Sequence, residues 1–346
     1  MPVSFPQAYL FDSLAVDMHQ QSLSNKWLTP DLDNIVAGIA RIRARIDQQF
    51  SRYKHAHPQK NSAHLAGLTD IHTYPYGYCE PIRNIVWNSL QHSLQKPQAG
   101  RGHFLAVREF INAGGLYQKI WGELTHGPYL QNAIQMGIYY IDAANDTVIE
   151  SNPKLDVRLL ADTNFKNINS LEQYFDVVQH YYQWDTYPNT VFPQLAPLYP
   201  GIAVHRQSGV LLICDIPLPL MYKNLSQQGA LSRQFLERSA YSSKIMPASK
   251  QTLLDTFQQA QWPRFLKQKK STLPPWLQGG THLNNAPHLS STAEIEQAFS
   301  ALQHWLDGGM TIDQCMSVIM TLDKDRIQLD RALRQYSYTQ SGKSSG

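Results

Sequence analysis

Apolar positions recur every three to four residues in three stretches of the chain, which is the spacing of one face of an α-helix. These stretches are 35–50, 82–94 and 295–306. Ser291 and Glu294 form a capping-box pattern just before the third stretch, which favours a helix start there. The pattern therefore predicts amphipathic helices towards both ends of the chain.

Strand patterns are concentrated in the middle of the chain. Residues 138–141 are aromatic and β-branched, and 155–160 alternate between apolar and polar, so both are predicted as strands. Two short apolar runs on either side of 206–209 predict a β-hairpin. The stretches 117–124 and 127–137, which precede these strands in the chain, are predicted as helices.

This order of elements predicts a helix-rich α+β fold with a small central mixed or antiparallel sheet (roughly 137–216) flanked by helices at both ends. A weak boundary near Gln227 divides a main domain, 1–226, from a helical C-terminal region, 227–338, that packs on it. The Ser/Gly-rich tail, 339–346, is predicted to be disordered.

Composition excludes several classes of protein for this chain. The net charge of +3 over 346 residues is too small for the basic face of a nucleic-acid binder. We find no signal-peptide pattern and no run of 18 apolar residues, so we expect no membrane span. Three cysteines cannot form a disulfide framework. We therefore expect a soluble, cytoplasmic protein with a small-molecule substrate, while its oligomeric state is not indicated.

The first segment with candidate chemistry precedes the predicted helix at 82–94 and has no apolar periodicity. It combines groups that seldom gather in a simple connection, and loops of this kind next to a rigid helix often carry function. His72 and Asp70 are candidate acid/base residues, and Tyr76 and Arg83 are candidate substrate-binding residues, with Arg83 as an anion clamp.

Cys79, in the same segment, is the candidate nucleophile, because a thiol just before a helix feels the positive end of the helix dipole. Papain-like and transglutaminase-like enzymes place their thiol in this way, with a histidine and an acid later in the chain. His205 is the candidate histidine, but Asp215 lies too far along the hairpin strand to complete a triad with it. The alternative is that Cys79 is a small apolar core residue.

The second segment follows the predicted strand at 138–141. Asp142 and Asp146 are candidate acid/base residues or metal ligands, and Asn145 between them is a candidate substrate-binding residue. A divalent metal could be held here, or by Asp70 and His72 as a pair. The alternative is that these residues simply form a turn.

These observations lead to one principal hypothesis and two alternatives. The principal hypothesis is an enzyme that catalyses group transfer or hydrolysis on a polar, glycan-like small substrate, where the 70–83 segment meets the strand end at 142–146. One alternative is a cysteine-dependent hydrolase or transferase with Cys79 as nucleophile. The other is a non-catalytic binding or effector protein with a tyrosine-rich partner surface. Trp184 is a candidate substrate-binding residue, because aromatic rings near a sheet commonly line pockets for sugars or flat ligands.

Overall fold

The structure, a computed structural model, describes residues 16–56, 73–95, 102–124, 127–269 and 291–343. Contacts between residues divide the chain into two compact units, of which the first is Leu10–Ile168 and the second contains Asn169–Gly346. The predicted division into 1–226 and 227–338 stays a prediction, because compact units defined by contacts need not be domains that fold independently.

The helices of the first unit begin with α1 and α2, which are joined by short π-helical and 3₁₀ turns. The apolar stripe of α2 is buried as predicted, since Ile35, Ile39, Ile42 and Ile46 are at most 3 % exposed. The stripe packs in one core with residues of α3 and α4. The α-helices in the described residues of this unit are α1 (Met18–Leu23), α2 (Leu32–Ala56), α3 (Cys79–Gln95) and α4 (Leu105–Asn112).

The sheet of the first unit has five strands in the order β4-β3-β2-β1-β5. All four pairings are antiparallel. Most of the buried side chains of this sheet belong to its three central strands, β3, β2 and β1. The sheet therefore forms one wall of the core. The strands are β1 (Tyr117–Leu124), β2 (Gly127–Met136), β3 (Tyr139–Asp142), β4 (Asp156–Leu159) and β5 (Lys166–Asn167).

The helices predicted for 117–124 and 127–137 are wrong, because these residues form the hairpin of β1 and β2. Every residue from Asn132 to Met136 is at most 5 % exposed. A strand buried on both faces loses the alternation of apolar and polar residues by which strands are recognised. Gly122 in β1 also admits the neighbouring strand, since a Cβ there would lie 2.1 Å from the carbonyl oxygen of Lys166.

The second unit contains a three-stranded antiparallel sheet in the order β6-β7-β8. The predicted hairpin is its β7–β8 pair. A capping box of Ser170 and Gln173 starts the helix Leu171–Tyr181. Its elements are α5 (Leu171–Tyr181), β6 (Trp184–Pro188), β7 (Gly201–His205), β8 (Leu211–Ile213), α6 (Leu218–Ser226), α7 (Ala230–Arg238), α8 (Ala248–Lys269), α9 (Ser291–Leu306) and α10 (Ile312–Lys343).

Helix α10 covers the outer edge of β8 with polar side chains. The Ile213 N–H donates to Asp330 Oδ1 at 3.0 Å, and Arg326 Nη1 donates to the Ile213 carbonyl at 3.0 Å. The Leu211 N–H donates to Ser337 Oγ at 3.4 Å. A sheet edge with unpaired backbone groups attracts other strands, so these contacts protect β8.

The predicted fold class, helix-rich α+β with a mixed or antiparallel sheet, is confirmed, and the strand pairings in the described residues are antiparallel. Two differences concern the sheet: its strands are divided between two small sheets, and the first begins at Tyr117 rather than near Gly137. Of the helices in the described part of the chain, none combines the length and apolar character that crossing a bilayer requires.

Candidate functional site

The two segments singled out in the sequence meet in the first unit. The Gly77 N–H donates to the carbonyl of Thr147 at 3.0 Å, and Gly77 has a φ of +77°, which a glycine adopts without strain. Thr147 in turn closes the turn after β3, since its hydroxyl donates to the Ala144 carbonyl at 2.7 Å. The turn before α3 therefore lies against the turn after β3.

Cys79 is the first residue of α3 and is partly exposed. Asn132 of β2 donates from Nδ2 to its Sγ at 3.3 Å, and the backbone N–H of Glu80 also donates to the sulfur. Burial raises the pKa of the Cys79 thiol, and the charge of Asp142 raises it further, whereas the two N–H donors lower it. The thiol is therefore held by polar neighbours but is mainly protonated at neutral pH.

Asp142 ends β3 and is 2 % exposed. Its Oδ1 accepts the N–H of Ala144 at 2.7 Å, as in an Asx turn. Burial raises the pKa of Asp142 to about 7, and the charges of Asp156 and Asp146 add to the effect, while the Ala144 N–H opposes it. Asp156 lies directly opposite on β4, where two carboxylates on one face repel each other. Asp142 is therefore a buried carboxyl that titrates near neutral pH.

Asp146 has a different environment, because it is bound by a cation. Both of its carboxylate oxygens accept from Arg43 Nη2 of α2, at 2.8 and 3.0 Å. Arg43 is 1 % exposed and also donates to Asp47. Asp47 accepts further from the Tyr74 hydroxyl and, at 2.6 Å, from Lys154. Two cations and two carboxylates balance here, so this ion cluster ties α2 to the turn after β3.

Other predicted residues near this place have structural partners. Asn145 donates to the Pro153 carbonyl at 2.9 Å and so stabilises the turn. Arg83 is 6 % exposed and lies 3.5 Å from Glu80 and 3.4 Å from the Ile120 carbonyl. Tyr76 is 49 % exposed. Asp70 and His72, the first two acid/base candidates, lie outside the described residues.

His205 and Trp184 belong to the second unit, at the ends of β7 and β6. His205 Nδ1 lies 3.0 Å from Ser208 Oγ and accepts the Ser208 N–H at 3.2 Å, which closes the hairpin turn. The Trp184 ring stands edge-on to His205 with centroids 4.9 Å apart. His205 therefore stabilises the hairpin turn that follows it. Asp215 is not among its hydrogen-bond partners in the described part of the chain.

Asn132 is the site residue that the sequence pattern did not indicate. It is 5 % exposed and 53 positions from Cys79 in the chain. Its signal is an amide beside the apolar residues Ala133 and Ile134, and this signal becomes informative only once the stretch 132–136 is known to be a buried strand. A buried polar side chain requires a partner, and here the partner is the thiol.

The second unit contains a cavity of about 640 Å³. It lies between β6, α7, the segment 242–246 and the starts of α8 and α9. None of the described residues that line it is among the candidate site residues predicted from the sequence. The charged and phenolic residues in its lining are Tyr187, Arg233, Glu237, Lys244 and Glu296.

The described ranges contain no group of three or more His, Cys, Asp and Glu side chains arranged to hold a metal ion. A metal at Asp142 and Asp146 would also compete with Arg43, which occupies both oxygens of Asp146. The chain matches no family model, no curated protein and no solved structure.

Proposed function

We propose that the chain is a thiol-dependent hydrolase or transferase that acts on a polar small substrate, with Cys79 as nucleophile and Asp142 as acid–base partner. The observation that carries this proposal is the arrangement around the sulfur. Cys79, a partly exposed residue at a helix start, receives two N–H donors on its sulfur, and the sulfur lies within electrostatic range of a carboxyl with a pKa of about 7.

Each group has a role in the proposed chemistry. The N–H groups of Asn132 and Glu80 stabilise negative charge on the sulfur, as does the start of α3. A general acid/base works best when its pKa lies near the working pH, which is the case for Asp142 at about 7. Perturbed carboxyls of this kind are concentrated at functional sites.

The reaction follows from these roles. The Asp142 carboxylate takes the thiol proton, and the sulfur attacks an acyl carbon of the substrate to form an S–C bond. The bond to the leaving group breaks, and the leaving group takes the proton from Asp142. Water or an acceptor hydroxyl then attacks the thioester, releases the acyl group and returns a proton to the sulfur.

The test uses p-nitrophenyl acetate as an acyl donor. We expect the native chain to release a burst of one nitrophenolate per chain as Cys79 is acylated. Cys79→Ser should lose the burst, whereas Cys214→Ser, which changes a buried cysteine of the second unit, should keep it. Asp142→Asn should slow acylation about 100-fold, the lower end of the range for losing a general base. Alkylation of Cys79 by iodoacetamide should persist in that variant and show that the thiol is still accessible.

The second candidate is a non-catalytic binding protein, and two features of the thiol site support it. The side chain in contact with the sulfur is an amide, which cannot accept a proton, and burial raises the thiol pKa. In that case neither the native chain nor Asp142→Asn shows a burst. A burst that appears only in Asn132→His, which places an imidazole beside the thiol, would overturn the first candidate and support the second.

A further inference from the structure

The cavity of the second unit has the size and mixed lining of a small-molecule site. Its volume of about 640 Å³ falls within the range of about 300–1,000 Å³ typical of such sites. Separate elements contribute an acidic group, a basic group and apolar side chains to the lining. This combination limits the chemistry of the ligand.

The acidic group is an ion triad on α7 and α9. Arg233 Nη1 donates to Glu237 Oε1 at 2.8 Å and to Glu296 Oε1 at 2.6 Å. One guanidinium with two carboxylates leaves one negative charge in excess. The three side chains are between 37 % and 48 % exposed, so a ligand can reach them. This part of the lining favours an ammonium group.

The basic group is Lys244 in the segment 242–246. Its ammonium lies 3.9 Å from the centre of the Tyr241 ring and donates to the neutral amide of Gln179 at 2.9 Å. Asp176 and Asp185 act on it at longer range, but within the described part of the chain Lys244 makes no ion pair. Partial burial lowers the pKa of Lys244, because it removes water from the charged ammonium. A ligand carboxylate would replace the lost hydration with a charge-assisted hydrogen bond.

The apolar part of the lining comes from Leu236, Met246 and Ile295. Ile245, which also lines the cavity, is 90 % exposed. Apolar side chains of a ligand would gain by covering these groups, because burial of apolar surface is favourable.

We propose that this cavity binds a zwitterionic short peptide or amino acid with apolar side chains. Its ammonium faces Glu237 and Glu296, its carboxylate faces Lys244, and its side chains lie against Leu236 and Met246. A ligand with a single charge would form only one of these two charge-assisted contacts. The proposal does not depend on the thiol chemistry of the first unit.

The experiment is calorimetric titration of the full-length chain with the dipeptide Leu-Leu, N-acetyl-Leu-Leu and Leu-Leu-amide. We expect Leu-Leu to bind and each blocked form to bind at least about tenfold more weakly, since each loses one charge-assisted contact. Equal affinity for all three, or no heat from Leu-Leu at millimolar concentration, would overturn the proposal.

A matched pair of variants locates the carboxylate contact. Lys244→Met should bind Leu-Leu and Leu-Leu-amide equally, whereas Lys267→Met, an exposed lysine outside the cavity lining, should keep the native preference. Circular dichroism checks that both variants are folded, and Lys244→Gln replaces Lys244→Met if the latter is not. A preference for the free carboxylate that survives the loss of Lys244 would contradict the assignment.

Discussion

Replacing Asp142 by asparagine changes its charge and little else. The two side chains have the same shape, and the asparagine Oδ1 can still accept the Ala144 N–H that Asp142 accepts at 2.7 Å. The new amide can donate to the buried Tyr140 hydroxyl, which lies near Asp142 and has no hydrogen bond of standard geometry among the described residues. The substitution therefore isolates the effect of ionising this carboxyl.

The size of the effect on the free energy of unfolding follows from the pKa of Asp142. Folding raises the pKa of Asp142 from its ordinary 3.8 to about 7. Between these two values the unfolded chain is ionised while the folded chain is protonated, so native stability falls as the pH rises through this window. Each pKa unit corresponds to about 1.4 kcal/mol, which gives an upper estimate of about 4 kcal/mol at pH 8. Below pH 3.8 both states are protonated, and the effect vanishes.

The assay is urea unfolding of the native chain and Asp142→Asn at several pH values from 3.5 to 8. We expect nearly equal free energies of unfolding at the lowest pH and a variant that is more stable by about 2–4 kcal/mol at pH 8. Asp162→Asn, at an exposed position of the same unit, should follow the native profile. If the difference between Asp142→Asn and the native chain does not change with pH, the pKa of Asp142 is the same in the folded and unfolded chain and the reasoning is wrong.

Two further predictions concern packing in the first unit. Ile39 is fully buried on α2, so Ile39→Asp should lower the free energy of unfolding by about 3 kcal/mol or more; an unchanged melting temperature would show that α2 is peripheral. Asp146→Asn should cost about 3 kcal/mol, because it removes an anion from the buried Arg43. Adding Arg43→Met should recover part of that loss, and a single variant as stable as the native chain would contradict the structural role of this ion pair.

Periodicity in the sequence predicts a helix or strand when one of its faces is buried and the other is exposed to solvent. α2 satisfies this condition, and its stripe of isoleucines was therefore predicted correctly. β2 does not, since residues 132–136 are buried on both faces, and its alanine, glutamine and methionine are also good helix formers. Tertiary burial overrides local preference there, and a single sequence does not reveal it.

The sequence predicted only part of the candidate functional site. Unusual local composition singled out Cys79, Asp142 and Asp146, all of which lie where two turns meet. Their partners come from distant parts of the chain: Arg43 is 103 positions from Asp146, and Asn132 is 53 positions from Cys79. Such pairs are determined by the packing of helices on the sheet, which local spacing does not encode.

The contrast between the two aspartates supports a functional role for Asp142. Asp146 is matched by a buried cation, as expected for a carboxylate that stabilises the fold. Burial raises the pKa of both carboxyls, but the charge of Arg43 lowers that of Asp146. Asp142 instead lies opposite another aspartate, so its ionisation destabilises the native state. Its one hydrogen bond to the backbone, from Ala144, could be accepted equally well by asparagine. A residue that lowers stability where a neutral isostere would fit is typical of an active site, and Asp142 lies within electrostatic range of the thiol.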